Sequence, residues 1–267
     1  MTSCRVNRSP KPSLRWVSEL LWSLITLRVR IRYKETLLGF AWFLLQPVAL
    51  TILFTYLFNR FARIASGDIP YTLFVAMGLV PWSLTALVVT HGAFSLTSQQ
   101  LLLKRVALPK ILLPFSAVVA SGVDLAAMIG LLVALFMHYQ ISLSGQALDW
   151  VLVLLGIHVA LLVGLSLLVS LANVFFRDVG LALTLLLQLW LFASPVFYPA
   201  SLFPEELKAL VRWNPMTGLI EGYRVTLLLG QTPSLDFMGS AALVSLGVLA
   251  VGLVFFWRFE GTVTDLL

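Results

Sequence analysis

The sequence predicts an all-α membrane protein with six transmembrane helices. An N-terminal amphipathic interface helix precedes them, and two short re-entrant helices follow the fifth. Two observations lead there. The first is composition: of 267 residues, 60% are hydrophobic and 11% charged, with a mean hydropathy of +0.96. A soluble domain is about 45–50% apolar and about 25% charged, so there is too little polar surface to coat a water-soluble globule. The second is placement, because the charges cluster between long uncharged runs. A hydrocarbon core about 30 Å thick takes about 20 apolar residues of helix. Each unpaired backbone group in lipid costs several kcal/mol, so these runs are expected to be helical. Disorder and collagen are excluded by the same composition, and the single cysteine, Cys4, has no internal disulfide partner. A net charge of +6 would suit nucleic acid, but the charge-free runs argue against it.

The first element spans 14–31. Leu14, Val17, Leu20, Leu21, Leu24 and Ile31 fall near one helical stripe, with Arg15, Ser18, Glu19, Thr26 and Arg30 elsewhere. Basic residues with Trp16 and Trp22 suit a membrane surface, and Arg32 and Lys34 close this interface helix. A seventh span is the alternative reading. Glu19 and the basic run from Arg28 to Lys34 make that crossing costly. The eight basic residues of 1–35 and the lack of an uninterrupted apolar core argue against a cleaved signal.

The spans are placed at about 37–58, 71–95, 113–138, 149–175, 180–198 and 237–257. Residues 111–176 are too long for one crossing, and the cluster Gln140, Ser142, Ser144, Gly145, Gln146, Asp149 divides them. With the N-terminus inside, inner segments carry 13 of the 18 Lys and Arg residues and outer segments 5. This bias predicts both termini in the cytoplasm.

The outer segment 199–236 is rich in apolar residues. Pro204-Glu205-Glu206 reads as a helix start with acids in its first turn. Asn214-Pro215 stops that helix. Thr217 is expected to cap a second helix, which Gly230 ends, and Glu221 and Arg224 are spaced to pair on it. Each helix is about 10–12 residues, about 15–18 Å, and too short to cross. They are read as two short helices returning into the outer leaflet, carrying Glu205, Arg212, Glu221 and Arg224. Helices lying flat on the outer surface are the other reading.

Catalytic chemistry is not legible. There is no GxxxxGK[ST] loop. Leu143-Ser-Gly-Gln146 echoes part of an ATPase signature but lies in a predicted outer loop. His91, His138 and His158 are scattered, and no metal-ligand spacing exists. The inner loop Ser98–Lys110 is more telling. Leu101 offers an apolar contact, Lys104 and Arg105 a basic pair, and Pro109 a stop. It reads either as a docking segment for a partner or as a plain positive-inside anchor. Aromatics concentrate in spans one and five, and Trp42, Tyr56, Trp190, Phe192, Phe197 and Tyr198 are the candidate channel-lining side chains. Such rings stack on sugars, but they also anchor helices at the lipid interface. Asp124 is the one acid inside a span. A carboxylate there marks either a structural contact or a proton or substrate site.

The ordered motifs resemble a known family. They are Arg32-Tyr-Lys-Glu-Thr-Leu-Leu-Gly39 with Ala41-Trp42 and Leu45-Gln46-Pro47, then Gly78-Leu-Val-Pro-Trp82, then Lys104 through Pro114 and Val123-Asp124. Arg177-Asp178-Val179, Gln188 through Pro195, Tyr198-Pro199, Asn214-Pro215 and Glu221-Gly-Tyr-Arg224 complete the set. Together they resemble the ABC-2 type permeases that export bacterial polysaccharides such as lipid-linked O-antigen. Leu108 departs from the family, which usually has an aromatic residue before this proline.

The resemblance implies the ABC-2 exporter fold, with a cytoplasmic N-terminus over 1–35 and a transmembrane domain over 36–267. Within that domain it implies a coupling segment at about 97–112 and gate helices at about 199–235. It further implies a homodimer in the bacterial inner membrane with two ABC ATPase subunits, which bind ATP and Mg. The permease itself would hold no cofactor or metal and perform no catalysis. The conduit would run between the two copies, lined largely by spans one and five, and would carry a lipid-linked polysaccharide. A lipid- or drug-exporting ABC-2 permease and a membrane-embedded transferase remain as other readings. The docking reading of Lys104 and Arg105 predicts that reversing both to Glu uncouples ATP hydrolysis from export. ATPase and export assays on the intact complex check this, and unchanged coupling refutes it.

Overall fold

The computed structural model describes residues 14–34, 41–57, 69–105, 108–141 and 145–266. Arg60, Arg63, Phe58, Leu143 and Ser144 lie outside the described residues, as do the side chains of Lys34, Trp42, Arg105 and Gln146. The described chain is helical and contains no strand. Its helices are α1 (Leu14–Lys34), α2 (Ala41–Leu57), α3 (Tyr71–Ala93), α4 (Gln100–Arg105), α5 (Leu112–Ala120) and α6 (Gly122–His138). They continue with α7 (Gly145–Phe175), α8 (Asp178–Phe192), α9 (Glu205–Trp213), α10 (Pro215–Leu229) and α11 (Leu235–Leu266).

Among the described residues four stretches are long and apolar enough to cross a membrane: Tyr71–Ala93, Leu112–His138, Ala147–Phe175 and Leu235–Val263. The apolar helices α2 and α8 are shorter, at 17 and 15 residues. Hydropathy alone does not distinguish the central helix from the peripheral ones, but packing does. α3 is the centre, with Leu73, Val75, Met77, Leu79 and Val88 fully enclosed. It contacts α2, α5, α6, α7, α8 and α10.

Three elements differ from the sequence reading. The third span is two helices, because Ser121 interrupts it and turns its hydroxyl onto Ala117 O at 2.9 Å. Asp124 therefore sits in the first turn of α6, where the helix dipole favours an anion. The fifth span ends at Phe192 and does not reach 198. Pro195 lacks an N–H and disfavours helix in the residue before it, so the chain leaves the helix at Ala193. The last helix runs to Leu266, past the charged Arg258 and Glu260. Glu260 is held there by the chain before α5: its Oε1 accepts from Lys110 N at 2.9 Å and its carbonyl accepts from Lys110 Nζ.

Two apolar clusters form most of the core, and a small third one joins Val89 and Ala93 of α3 to Leu183 of α8. The larger joins α3, α6, α7 and α10 through residues such as Phe74, Met128, Leu154, Met216 and Leu219. The second lies at the α1 end. It joins Leu24 of α1 to Leu96, Leu103, Leu113, Leu171, Phe256 and Val263. Val17, Leu20 and Leu21 pack against it as their stripe predicts, whereas Ile31 of the same stripe is exposed, as is Trp22.

α7 and α11 make the most extensive helix pair. Their axes approach closely because Gly164 and Gly252 meet. A Cβ on Gly164 would stand 2.6 Å from Leu249 N, and one on Gly252 would stand 2.8 Å from Gly164 O. Both obstacles are backbone, so neither moves aside as a flexible side chain would. Gly164→Ala is therefore expected to destabilise the bundle by about 1–3 kcal/mol, read as a lowered Tm of the protein in detergent. An unchanged Tm would show that the two helices separate freely.

Candidate translocation groove and its closing turn

The turn between α8 and α9, residues 193–199, is irregular backbone packed against the bundle. Backbone groups away from water must find partners, and here the partners come from three different elements. Asn214 Nδ2 donates to Ala193 O at 3.2 Å and to Ser194 Oγ at 2.9 Å. Arg224 Nη1 donates to Pro195 O at 2.7 Å and Nη2 to Val196 O at 2.6 Å. The Tyr71 hydroxyl donates to Phe197 O at 2.6 Å. The Tyr198 hydroxyl turns back onto Phe192 O, and partial burial raises the pKa of that phenol.

Arg224 is the centre of this arrangement. It is 3% exposed, donates to Phe74 O at 3.2 Å, pairs with Glu221 Oε1 at 3.0 Å and lies 3.5 Å over the Phe74 ring. Gly78 leaves room for it, since a Cβ there would stand 2.6 Å from Val196 O and 2.7 Å from Arg224 Nη2. Asn214 also accepts from Trp190 Nε1 at 3.0 Å and from Met216 N at 3.1 Å. The cap of α10 is thus Asn214 and not Thr217, because Pro215 already occupies the first helical position. Thr217 is buried, and its hydroxyl has no hydrogen-bond partner among the described residues. Gly230 ends α10 in the left-handed conformation at φ 63°.

A groove of about 290 Å³ runs between α2, α3 and α8. Gln46, Ser83, Thr90 and His91 put polar groups into it, while Trp82 and Leu191 supply apolar wall. The Trp190 ring meets Trp82 edge-on, with centroids 5.3 Å apart. Such a mixture of hydroxyl, amide and aromatic groups inside an apolar bundle suits a hydrated, weakly bound solute.

The candidate lining aromatics divide. Trp190 is half-buried beside the groove wall, and Phe192 lies at the end of α8, exposed. Tyr56 is exposed and Tyr198 half-buried. Phe197 is 2% exposed and stacked on Phe54 at 3.7 Å. Its ring is therefore packed inside the chain in this conformation and faces no open surface.

At its α1 end the groove reaches an ionic cluster. Arg32 Nη1 pairs with the fully buried Asp124 carboxylate, and Arg32 Nη2 meets His91 Nδ1 at 2.9 Å. One turn earlier, Arg28 donates to Ser116 Oγ at 2.9 Å and to Leu113 O at 3.2 Å. Burial and the neighbouring Arg32 lower the Arg28 pKa to about 10, which leaves it charged at neutral pH. In the sequence Arg32 and Asp124 stand out separately, 92 residues apart, and His91 is one of three scattered histidines. The signal was present: an unexplained acid inside a span calls for a cation, and a basic helix lay next in the chain.

The proposed coupling residues flank Leu103, which shares the second apolar core with Leu24 of α1. Leu101 is 73% exposed and Lys104 is exposed, while Leu103 is buried in the second core. α4 thus has one face anchored and one open. Pro109 is half-buried and precedes Lys110. At the opposite end, Glu205 pairs with Lys208, and Arg212 reaches Asp236 at 3.4 Å. Trp16 is exposed on α1. Among the described residues no group of three or more His, Cys, Asp or Glu is placed to hold a metal ion.

The several long apolar helices make this a helical membrane protein, with a groove of solute size between α2, α3 and α8. The chain belongs to the ABC-2 type transporter family, whose pattern it matches over residues 19–228. It is 26% identical over 261 residues to the O-antigen export system permease protein RfbA of Klebsiella pneumoniae, covering 96% of this chain and 98% of that one. It is 30% identical over 236 residues to the protein of the same name from Myxococcus xanthus, covering 86% and 88%. It is 22% identical over 232 residues to the polysialic acid transport protein KpsM of Escherichia coli, covering 84% and 88%.

The ion pair generates a prediction. Asp124→Ala and Arg32→Ala are each expected to lower Tm in detergent, and the double variant to lose less than their sum, with a coupling of about 0.5–3 kcal/mol. Strict additivity would deny the pair a structural role. Asp124→Asn is expected to keep export, because its remaining oxygen still accepts from Arg32. Loss of export in a folded Asn variant would restore the proton-transfer reading.

Proposed function

We propose that this chain is the transmembrane permease subunit of an ATP-driven exporter of lipid-linked polysaccharide of the O-antigen type. It works as a homodimer with two ABC ATPase subunits in the bacterial inner membrane, both termini cytoplasmic. The observation that carries this reading is the groove between α2, α3 and α8, in which Trp82 and the polar Gln46, Ser83 and Thr90 face open space inside an otherwise apolar bundle. The near end-to-end similarity to named polysaccharide permeases supports the same reading.

In this reading α2, α3, α5–α6, α7, α8 and α11 are the six spans. α1 is the interface helix, its Leu24 stripe on the protein and its opposite, Trp22 side toward lipid headgroups. α10 is a re-entrant helix and α9 lies on the outer surface with Leu210 and Trp213 exposed. The conduit forms where the α2 and α8 faces of two copies meet. Those faces are rich in exposed apolar side chains, among them Ile52, Leu53, Leu181, Leu185 and Leu189.

The mechanism follows from what is rigid. ATP closure of the partner subunits pushes on the open face of α4, through Leu101 and Lys104. α4 shares its core with α1, α5, α7 and α11, and Lys110 is tied to Glu260, so the push moves that end of the bundle as a unit. Arg32, seated between Asp124 and His91, carries the displacement to the wall of the groove. The glycan slides past weak contacts, since a site that binds tightly stalls a conduit.

The test is a deletion strain together with a pull-down from detergent. Deletion is expected to remove one surface glycan while its lipid-linked form accumulates inside the cell. The tagged chain is expected to bring down a stoichiometric ATPase. A deletion strain with every surface glycan intact, or a chain that purifies without an ATPase, would overturn the proposal.

A further inference from the structure

A second cavity lies apart from the groove. It occupies about 430 Å³ between α10, the turn at 199–201 and the connection from α10 to α11. Pockets that bind small ligands run from about 300 to 1,000 Å³. Its lining is two-sided. Ser201, Glu221, Gln231, Thr232 and Ser234 bring hydroxyl, amide and carboxylate groups, and Phe237 brings a ring. That pairing matches a sugar, whose hydroxyls need hydrogen-bonding partners while its C–H face packs on apolar or aromatic surface.

Glu221 is the pre-set group. Its Oε1 accepts from Arg224 Nη1 at 3.0 Å, and Arg224 is itself fixed by the carbonyls of Phe74, Pro195 and Val196. The carboxylate is therefore oriented before any ligand arrives. Its Oε2 has no partner among the described residues, and the side chain is 23% exposed. The arginine behind it offsets its charge, so the cleft favours uncharged hydroxyl groups over anions.

We infer that this cleft is a saccharide-binding subsite at the outer end of each copy, taking an uncharged, hydroxyl-rich unit of the exported glycan. The inference rests on the export reading above and on the outward placement of 199–236. The subsite lies within one copy, between α10, the end of the turn that Arg224 secures and the α10–α11 connection, and not on the α2–α8 groove. Its role is to receive the emerging chain and bias it against sliding back. Contacts of this kind are weak enough to release each unit in turn.

Thiol labelling in spheroplasts that carry the whole exporter tests this. In a Cys4→Ser background, cysteine replaces Thr232 or Ser234, both exposed in the cleft, or Leu210, exposed on α9 outside it. A membrane-impermeant maleimide is applied to a strain making the glycan and to the same strain with glycan synthesis blocked. Labelling of Thr232→Cys and Ser234→Cys is expected to be several-fold slower when glycan is made, with Leu210→Cys unchanged. Adding Gln231→Ala is expected to restore much of the fast labelling. Equal rates with and without glycan at both cleft positions would overturn the subsite, as would equal slowing at Leu210→Cys. If deletion of the permease abolishes the surface glycan while the cleft stays unprotected, only the subsite fails. If the glycan survives deletion, the export reading fails with it.

Discussion

The Arg224 guanidinium meets the severest constraint on this molecule. A turn of irregular backbone between two helices of an apolar bundle exposes carbonyls that water cannot reach. One side chain covers two such carbonyls, those of Pro195 and Val196, reaches the Phe74 carbonyl of α3 as well, and stacks on the Phe74 ring. Asn214 and Tyr71 cover the neighbouring ones. A lysine has three donors but no planar fork, so it would not serve these diverging acceptors together. Because the donors come from α3 and α10, the turn, the central helix and the short buried helix are fixed as one piece. The packing of Gly78, the stacking of Phe197 on Phe54 and the position of Glu221 all follow from it.

The other end of the bundle has a matching device. Arg32 and Arg28 extend from α1 onto α5 and α6, where Asp124 and the Ser116 hydroxyl await them. Removing one member of a buried ion pair leaves the other without compensation, which is far more costly than the net worth of the pair. Here the cost is moderated: Asp124 lies in the first turn of α6, where the dipole supports its charge, and Arg32 retains partial exposure. The pair thus joins a helix at the bundle's edge to the wall of the groove through His91. In the proposed exporter this contact links the α1 end of the bundle to the groove wall.

The two devices leave the groove between them. Its wall is built from α3, which is rigid and central, and from α2 and α8, which are short and packed on one side only. A path that must open and close is most cheaply built where packing is thinnest. The exposed faces of α2 and α8 and the solid packing of α7 on α11 divide the molecule accordingly, into a fixed half and a half open to rearrangement.

Much of this was legible in the sequence for a plain physical reason. Uncharged runs of about 20 residues must be helices in lipid, and turn residues such as Asn214-Pro215 and Gly230 act locally, so helices, their order and the ends of α9 and α10 could be read directly. Even the pairing of Glu221 with Arg224 followed from helical spacing. Long-range partners were not legible. Nothing local in Arg224 tells that it binds carbonyls 28 and 150 residues away, and nothing in Arg32 points to Asp124, 92 residues on. Proline 195 was visible, yet apolar residues on both sides masked the end of α8, because hydropathy does not register a missing N–H. Phe197 looked like a lining ring since an aromatic residue carries no mark of which way it faces. Composition and spacing determined what each segment is. Only the tertiary structure decided which polar groups meet, because that depends on which helices lie side by side.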